Sequence, residues 1–197
     1  MAETKIDFIR HGEPVGGRCF RGYGIDDPLS EKGWMQMWAA VDGASAWGHV
    51  ISSPLQRCRK FAEELADRQG ISLSLEYRFK EVGFGLWEGR SPEEIEQSEP
   101  EAYAAFYRDP IHNRPEEAEP WAPFSARVSA ALDDVCKKYS GQHVLVVAHA
   151  GVIRAAAASV LEASATGAYR MKIDNAGFSQ ICHDGKKYRL AYLNREN

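Results

Sequence analysis

Cysteine is sparse in this chain, and its placement excludes several chemistries. Cys19, Cys58, Cys136 and Cys182 lie far apart, with no C-x-x-C couple and no spacing that would hold zinc. None is followed by arginine six positions on, so cysteine-dependent phosphate hydrolysis is excluded; after Cys182 that position is Tyr188. Scattered free thiols fit a reducing compartment, and the expected location is the cytoplasm. No GxxxxGK[ST] loop is present, which excludes P-loop nucleotide chemistry. No GxSxG elbow is present either, since GFSQI around Ser179 lacks the second glycine. There is no HExxH and no paired-carboxylate cluster, so neither a metal nor a cofactor is expected. Excess positive charge is absent too. The formal net charge is −4, which leaves no broad face for nucleic acid or anionic membrane. An anion site here must be a local pocket set against the global field. The start of the chain shows no basic-then-apolar secretion pattern. The one long apolar run, Val144 to Leu161, contains His149 and Arg154, which lipid would penalise; it reads as strand, turn and helix.

What is present reads as one domain with alternating strands and helices. Hydrophobic residues make up 44% of 197 positions, enough for a substantial core. KIDFIR (5–10) predicts a buried first strand, followed by a loop rich in glycine and proline to Leu29. Ser30 caps a predicted helix through EKGWMQMWAAV. HVISS (49–53) predicts a second strand, with Pro54 as the first residue of the helix that carries Arg57. Ser91-Pro92-Glu93-Glu94 is a capping box. It opens an acidic, proline-containing insertion at about 90–122, expected to form a small helical cap over a cleft. FSARVSAALDDVCKKY (124–139) is amphipathic, HVLVVA (143–148) is a buried strand, and Asp184-Gly185 turns a final hairpin. The expected fold is a three-layer α/β/α sandwich over residues 1–197, with a mainly parallel sheet and an antiparallel edge from the tail.

Three apolar strands end on polar groups. Arg10 and His11 follow the first, Arg57 begins the helix after the second, and His149 follows VLVVA with Gly151 behind it. In open α/β sheets ligands bind beyond the carboxyl ends of the strands. Two guanidiniums and two helix N-termini suit a dianionic tetrahedral group. A neutral imidazole beside phosphorus is then a competent nucleophile. Glu81, in EVGFGLWEG, is placed to protonate the leaving alcohol, because a nearby dianion favours the protonated carboxyl. Glu88 is the rival acid, with hydrogen bonding to loop backbone as its plain role. Arg21 and Tyr23, in the FRGYG loop, either reach the substrate or solvate a loop tip. Arg154 is expected as an ion-pair partner, and Glu13 as a residue that orients the site from behind.

Four blocks in order resemble the histidine phosphatase (phosphoglycerate mutase-like) superfamily: RHGE, SSPLQRCRKFAEEL, EVGFGLWEGRSPEEI and VLVVAHAGVIR. The resemblance spans nearly the whole chain. It implies that His11 becomes phosphorylated, that Arg10, Arg57 and His149 hold the phosphoryl oxygens with the backbone of Ala150 beside them, and that Glu81 supplies the acid. RGYGIDDPLSEKGWMQM, SSPLQRCRKFAEEL and Glu119-Pro120 ahead of Phe124-Ser125-Ala126-Arg127-Val128 resemble the alpha-ribazole phosphatases more specifically. That branch implies alpha-ribazole 5′-phosphate as substrate, in cobalamin biosynthesis. The chain departs from the family pattern at Ala150 (HAG for HGG), at Ala118, and at Gly16-Gly17 where many members carry asparagine. A phosphoglycerate mutase-like phosphotransferase would use the same residues, and acidic Glu116, Glu117 and Glu119 in the insertion argue against it. A broad-specificity phosphatase and a non-catalytic phospho-ligand module are the other readings. The expected partner is a small-molecule phosphate ester, with no nucleic acid and no membrane, and a homodimer is left open.

Overall fold

The computed structural model describes residues 2–44 and 47–195. Its centre is a six-stranded sheet in the order β3-β2-β4-β1-β5-β6, built from β1 (Thr4–Arg10), β2 (His49–Ser52), β3 (Ser72–Leu75), β4 (His143–Ala148), β5 (Phe178–His183) and β6 (Tyr188–Arg195). The first four run parallel, while β5 is antiparallel to β1 and to β6. Alternation along the strands divides the core. Ile6, Phe8, Val144 and Val146 face α5 (Trp121–Lys138) and α6 (Ala150–Val160). Ile9, Val50, Leu145 and Val147 face α1 (Glu31–Val41) and α2 (Gln56–Gln69). The expected three-layer arrangement with a mainly parallel sheet is the one observed. No helix among the described residues is long and apolar enough to cross a membrane.

Local signals explain most element ends. Ser30 Oγ accepts the amide of Gly33 at the start of α1. The capping box at Ser91 opens α3 (Pro92–Ser98) and is followed by α4 (Pro100–Arg108). A short α7 (Ala165–Ala168) follows α6. Two expectations need correction. Pro54 is not the first helical residue: α2 begins at Gln56, because Ser53 Oγ accepts the Leu55 amide and Asp26, from a distant loop, accepts that of Gln56. Strand β3 was not expected at all. Ser72–Leu75 is a half-exposed edge strand of alternating serine and leucine, with no apolar run to mark it.

The topology places the site. After β1 the chain leaves toward the α1/α2 face, and after β4 toward the α5/α6 face, so the adjacent carboxyl ends of β1 and β4 form a switch point. His11 N donates to Ala148 O at 3.0 Å, and Ser53 N donates to Val147 O at 3.0 Å. His11, His149 and Ser53 therefore sit side by side, each one step beyond its strand.

Candidate active site

A cavity of about 370 Å³ opens beyond these strand ends, lined among others by Arg10, His11, Arg21, Arg57, Glu81 and Asn175. His11 is 6% exposed, and its Nδ1 lies 2.7 Å from the carbonyl oxygen of Gly12. A carbonyl only accepts, so Nδ1 carries the proton and Nε2 keeps its lone pair. Burial, then the charges of Arg57 and Arg10, hold this imidazole well below its ordinary 6.5, and the ring is neutral. Asn175 Nδ2 donates to the His11 carbonyl at 3.0 Å and fixes the backbone on the other side.

His149 is wholly buried, shares a 2.7 Å hydrogen bond with Ser53 Oγ, and meets the His11 ring at 5.2 Å between centroids. Burial and the Arg57 charge hold it, too, well below 6.5. The Cys58 thiol lies 3.6 Å from its Nε2 and donates to Ala148 O; burial pushes this thiol up, so it remains a packing group.

The two arginines are fixed by carbonyls alone. Arg10 Nη1 donates to Ile173 O at 2.7 Å, while Arg57 donates from Nη1 to Ile25 O and from Nη2 to Gly22 O. Arg57 is 1% exposed, and among the described residues neither guanidinium has a carboxylate within ion-pair distance. Both also keep a buried Nε–H with no acceptor. A buried Arg57 and a half-buried Arg10 with no directly paired carboxylate are costly unless an anion completes the site.

Glu81 reaches the N-terminus of α6. Its carboxylate accepts the amide of Gly151 at 3.2 Å and that of Val82 at 2.9 Å. Arg127, on α5, holds the segment that carries it, donating to the carbonyls of Arg78, Lys80 and Glu81. A 2.9 Å ion pair joins Arg127 to Glu119, which also accepts the Gly83 amide. Neither Arg127 nor Asn175 is singled out by the sequence reading as part of the site. Arg127 lies in a quoted block, but its three carbonyl contacts are 46 to 49 residues away.

Other candidates resolve one by one. Arg21 lines the cavity, tied to Asp27 and to Val15 O. Tyr23 lies outside the lining: it is 44% exposed, beside Gly83, with Lys80 Nζ 5.5 Å from its ring centroid. Ala150 begins α6 and is buried, but neither it nor His149 is among the lining residues. Glu88 accepts the Phe84 amide and packs against Gly22 and Gly24, its plain role. Arg154 bonds the Met171 carbonyl rather than a carboxylate, against expectation. Glu13 pairs with exposed Lys32 at the cavity edge. Gly12 is required by packing: a Cβ there would lie 2.2 Å from Gly33 O, at the first turn of α1. The acidic insertion also needs correction. Glu116, Glu117 and Glu119 do not line the cavity; Glu119 is committed to Arg127, and Glu116 borders a separate surface hollow.

The family model for the histidine phosphatase superfamily (branch 1) matches residues 6–196. The chain belongs to that superfamily. Its histidine phosphatase relatives include phosphoserine phosphatase 1 of Hydrogenobacter thermophilus, 28% identical over 97% of this chain and 92% of the relative. Among solved structures, mycobacterial glucosyl-3-phosphoglycerate phosphatase with VO3 is 26% identical, with a TM-score of 0.86 over 98% of this chain and 99% of that one. The alpha-ribazole phosphatase of Shigella flexneri is 25% identical, with a TM-score of 0.84 over 97% and 96%. The chain is thus a phosphatase of a family acting on small phosphate esters.

Proposed function

We propose that the protein hydrolyses phosphate monoesters in two steps through a phosphohistidine at His11. The observation that carries this is the pair of guanidiniums, half-buried Arg10 and buried Arg57, with no carboxylate at ion-pair distance, beside a neutral imidazole with a free Nε2. A phosphoryl dianion satisfies both cations and brings phosphorus to that lone pair. In the first step the Nε2–P bond forms and the P–O ester bond breaks, while Glu81 delivers a proton to the leaving alkoxide. In the second, Glu81 takes a proton from water, the water oxygen bonds phosphorus, and the N–P bond breaks to release phosphate. The guanidiniums stabilise charge on the equatorial oxygens through both steps, with His149 beside them, and no metal is required. Residues 90–122 act as a cap on the substrate side.

Phenyl phosphate with and without EDTA, alongside His11→Ala, tests this. The expected result is EDTA-insensitive turnover, an acid-labile phosphoryl label on the wild-type protein, and loss of both in His11→Ala. Turnover that survives in the variant, or that EDTA abolishes, overturns the mechanism.

For the leaving alcohol, alpha-ribazole is supported by the quoted sequence blocks and by the 25% identical Shigella flexneri enzyme. Phosphotransfer to a second hydroxyl gains one observation, because the acidic residues that argued against it do not face the cavity. Chromatography of products from 3-phosphoglycerate separates the two: inorganic phosphate and glycerate support hydrolysis, and a phosphoglycerate isomer supports transfer.

A further inference from the structure

Beside the His11 cavity lies a second, of about 550 Å³, a size that holds a small organic ligand. Phe20, Phe84 and Arg18 line both cavities, so these side chains form a shared wall. The rings of Phe20 and Phe84 meet edge to face at 5.0 Å. Beyond them the second cavity gathers four guanidiniums, those of Arg18, Arg108, Arg154 and Arg170.

That is a strong local excess in a chain of net charge −4. Among the described residues, none of the four has a carboxylate within ion-pair distance. Asp109 shares the lining, but its carboxylate is spent on the amides of Ile111 and His112 and on the His112 ring. Arg154 is held in place by the Met171 carbonyl at 2.9 Å, with Tyr169 alongside. Like charges repel, and a concave wall of aromatic rings weakens the screening that water gives them. The four arginines lack an anion at ion-pair distance, and the cavity that would hold an ester at His11 borders them through Arg18, Phe20 and Phe84.

We infer that the leaving alcohol of the substrate carries a second anionic group, a carboxylate or a phosphoryl, and a planar portion that lies against Phe20 and Phe84. The inference rests on the phosphatase reading of the first cavity and names the substrate class for it. The inference stands against alpha-ribazole as the leaving alcohol: a nucleoside, planar but without a second anion, uses the aromatic wall and leaves the arginines empty.

The test compares benzyl phosphate, 4-carboxybenzyl phosphate and 4-phosphonobenzyl phosphate on the wild type and on the Arg108→Gln/Arg170→Gln double variant, both changes being on exposed side chains. A charged ester should exceed benzyl phosphate in kcat/KM by about tenfold or more, the worth of one charge-assisted contact. The double variant should shrink that ratio to within about threefold. The two charged esters distinguish carboxylate from phosphoryl. A wild-type ratio near one, or a ratio unmoved by the double variant, overturns the inference while leaving hydrolysis of benzyl phosphate, and so the phosphatase reading, intact. Calorimetry with 4-carboxybenzyl alcohol against benzyl alcohol, in the presence of inorganic phosphate, reads the second cavity without turnover. Equal binding of the two alcohols overturns the inference even if no ester is hydrolysed.

Discussion

The rings of His11 and His149 meet edge to face, centroids 5.2 Å apart, and both are buried. Burial first, and then the arginine charges, hold both well below 6.5. Unfolded, each ring binds a proton below that value; folded, each resists it. The stability gained from keeping them neutral is therefore complete above pH 6.5 and is lost as the pH falls beneath it, by up to about 1.4 kcal/mol per pH unit for each ring. Urea unfolding in phosphate-free buffer from pH 7.5 to 5 should show this decline, with a shallower slope in His11→Ala. Stability that is flat with pH in the wild type would contradict the burial argument.

Activity should follow the same direction. His11 keeps its free Nε2 throughout the range above 6.5, so kcat/KM, corrected for the dianion fraction of an aryl phosphate, should not fall between pH 8 and 6.5. An apparent base with a midpoint at or above 6.5 would show that the nucleophile is not this buried ring.

Arg127 bonds three carbonyls of the segment that ends at Glu81, and its partner Glu119 holds the next turn at Gly83. Removing that clamp lets the Glu81 carboxylate drift from the leaving oxygen, and a misplacement near 1 Å costs on the order of 10²-fold. Arg127→Ala should lower kcat by roughly that factor with a smaller change in KM. Arg127→Lys should not restore it, because one ammonium cannot span the carbonyls and the carboxylate together. Steady-state kinetics on phenyl phosphate decides; an unchanged kcat would show that Glu81 is positioned by α6 alone.

The sequence makes legible what is local. An apolar run ending in Arg10-His11, a strand ending at Ser53, and VLVVA before His149 each name a strand end, and parallel neighbours then bring those ends together. Capping at Ser30 and Ser91 reads directly, because donor and acceptor lie three residues apart. What does not read is contact across long separations. Asn175 reaches the His11 carbonyl over 164 positions, and Asp26 caps α2 over 30. Charge composition misleads for the same reason: Glu116, Glu117 and Glu119 look like an acidic lid, yet Glu119 turns inward to Arg127 while arginines gather on the second cavity. Ser72–Leu75 hides because an edge strand has little to bury.

Asp26 gives the next prediction. Its carboxylate caps α2 at the Gln56 amide, one residue from Arg57, whose guanidinium holds the carbonyls of Gly22 and Ile25 in the same loop. Loop and helix start therefore support each other. Asp26→Ala should cost about 1 kcal/mol of stability, the usual worth of an N-cap. It should also weaken inorganic phosphate as a competitive inhibitor, since Arg57 loses its fixed loop. Asp26→Asn should retain most of both, and a variant with unaltered inhibition would uncouple the cap from the arginine.

Gly151 separates stability from catalysis most sharply. A Cβ there would lie 2.2 Å from Glu81 Oε1 and 3.4 Å from the Phe124 ring, with no backbone in the way. The residue sits in the first turn of α6, where alanine is the better helix former by roughly 0.5–1 kcal/mol. The fold can therefore accept the methyl group by moving one flexible carboxylate. That movement breaks the 3.2 Å bond from the Gly151 amide and takes Glu81 away from the leaving oxygen. Gly151→Ala should keep or slightly raise the melting temperature while lowering kcat by on the order of 10²-fold, the low end for losing a general acid. A better leaving group needs less protonation, so 4-nitrophenyl phosphate should lose far less than an alkyl phosphate. Equal losses for both esters would show that the methyl group disturbs phosphate binding rather than proton delivery, and would move the acid role away from Glu81.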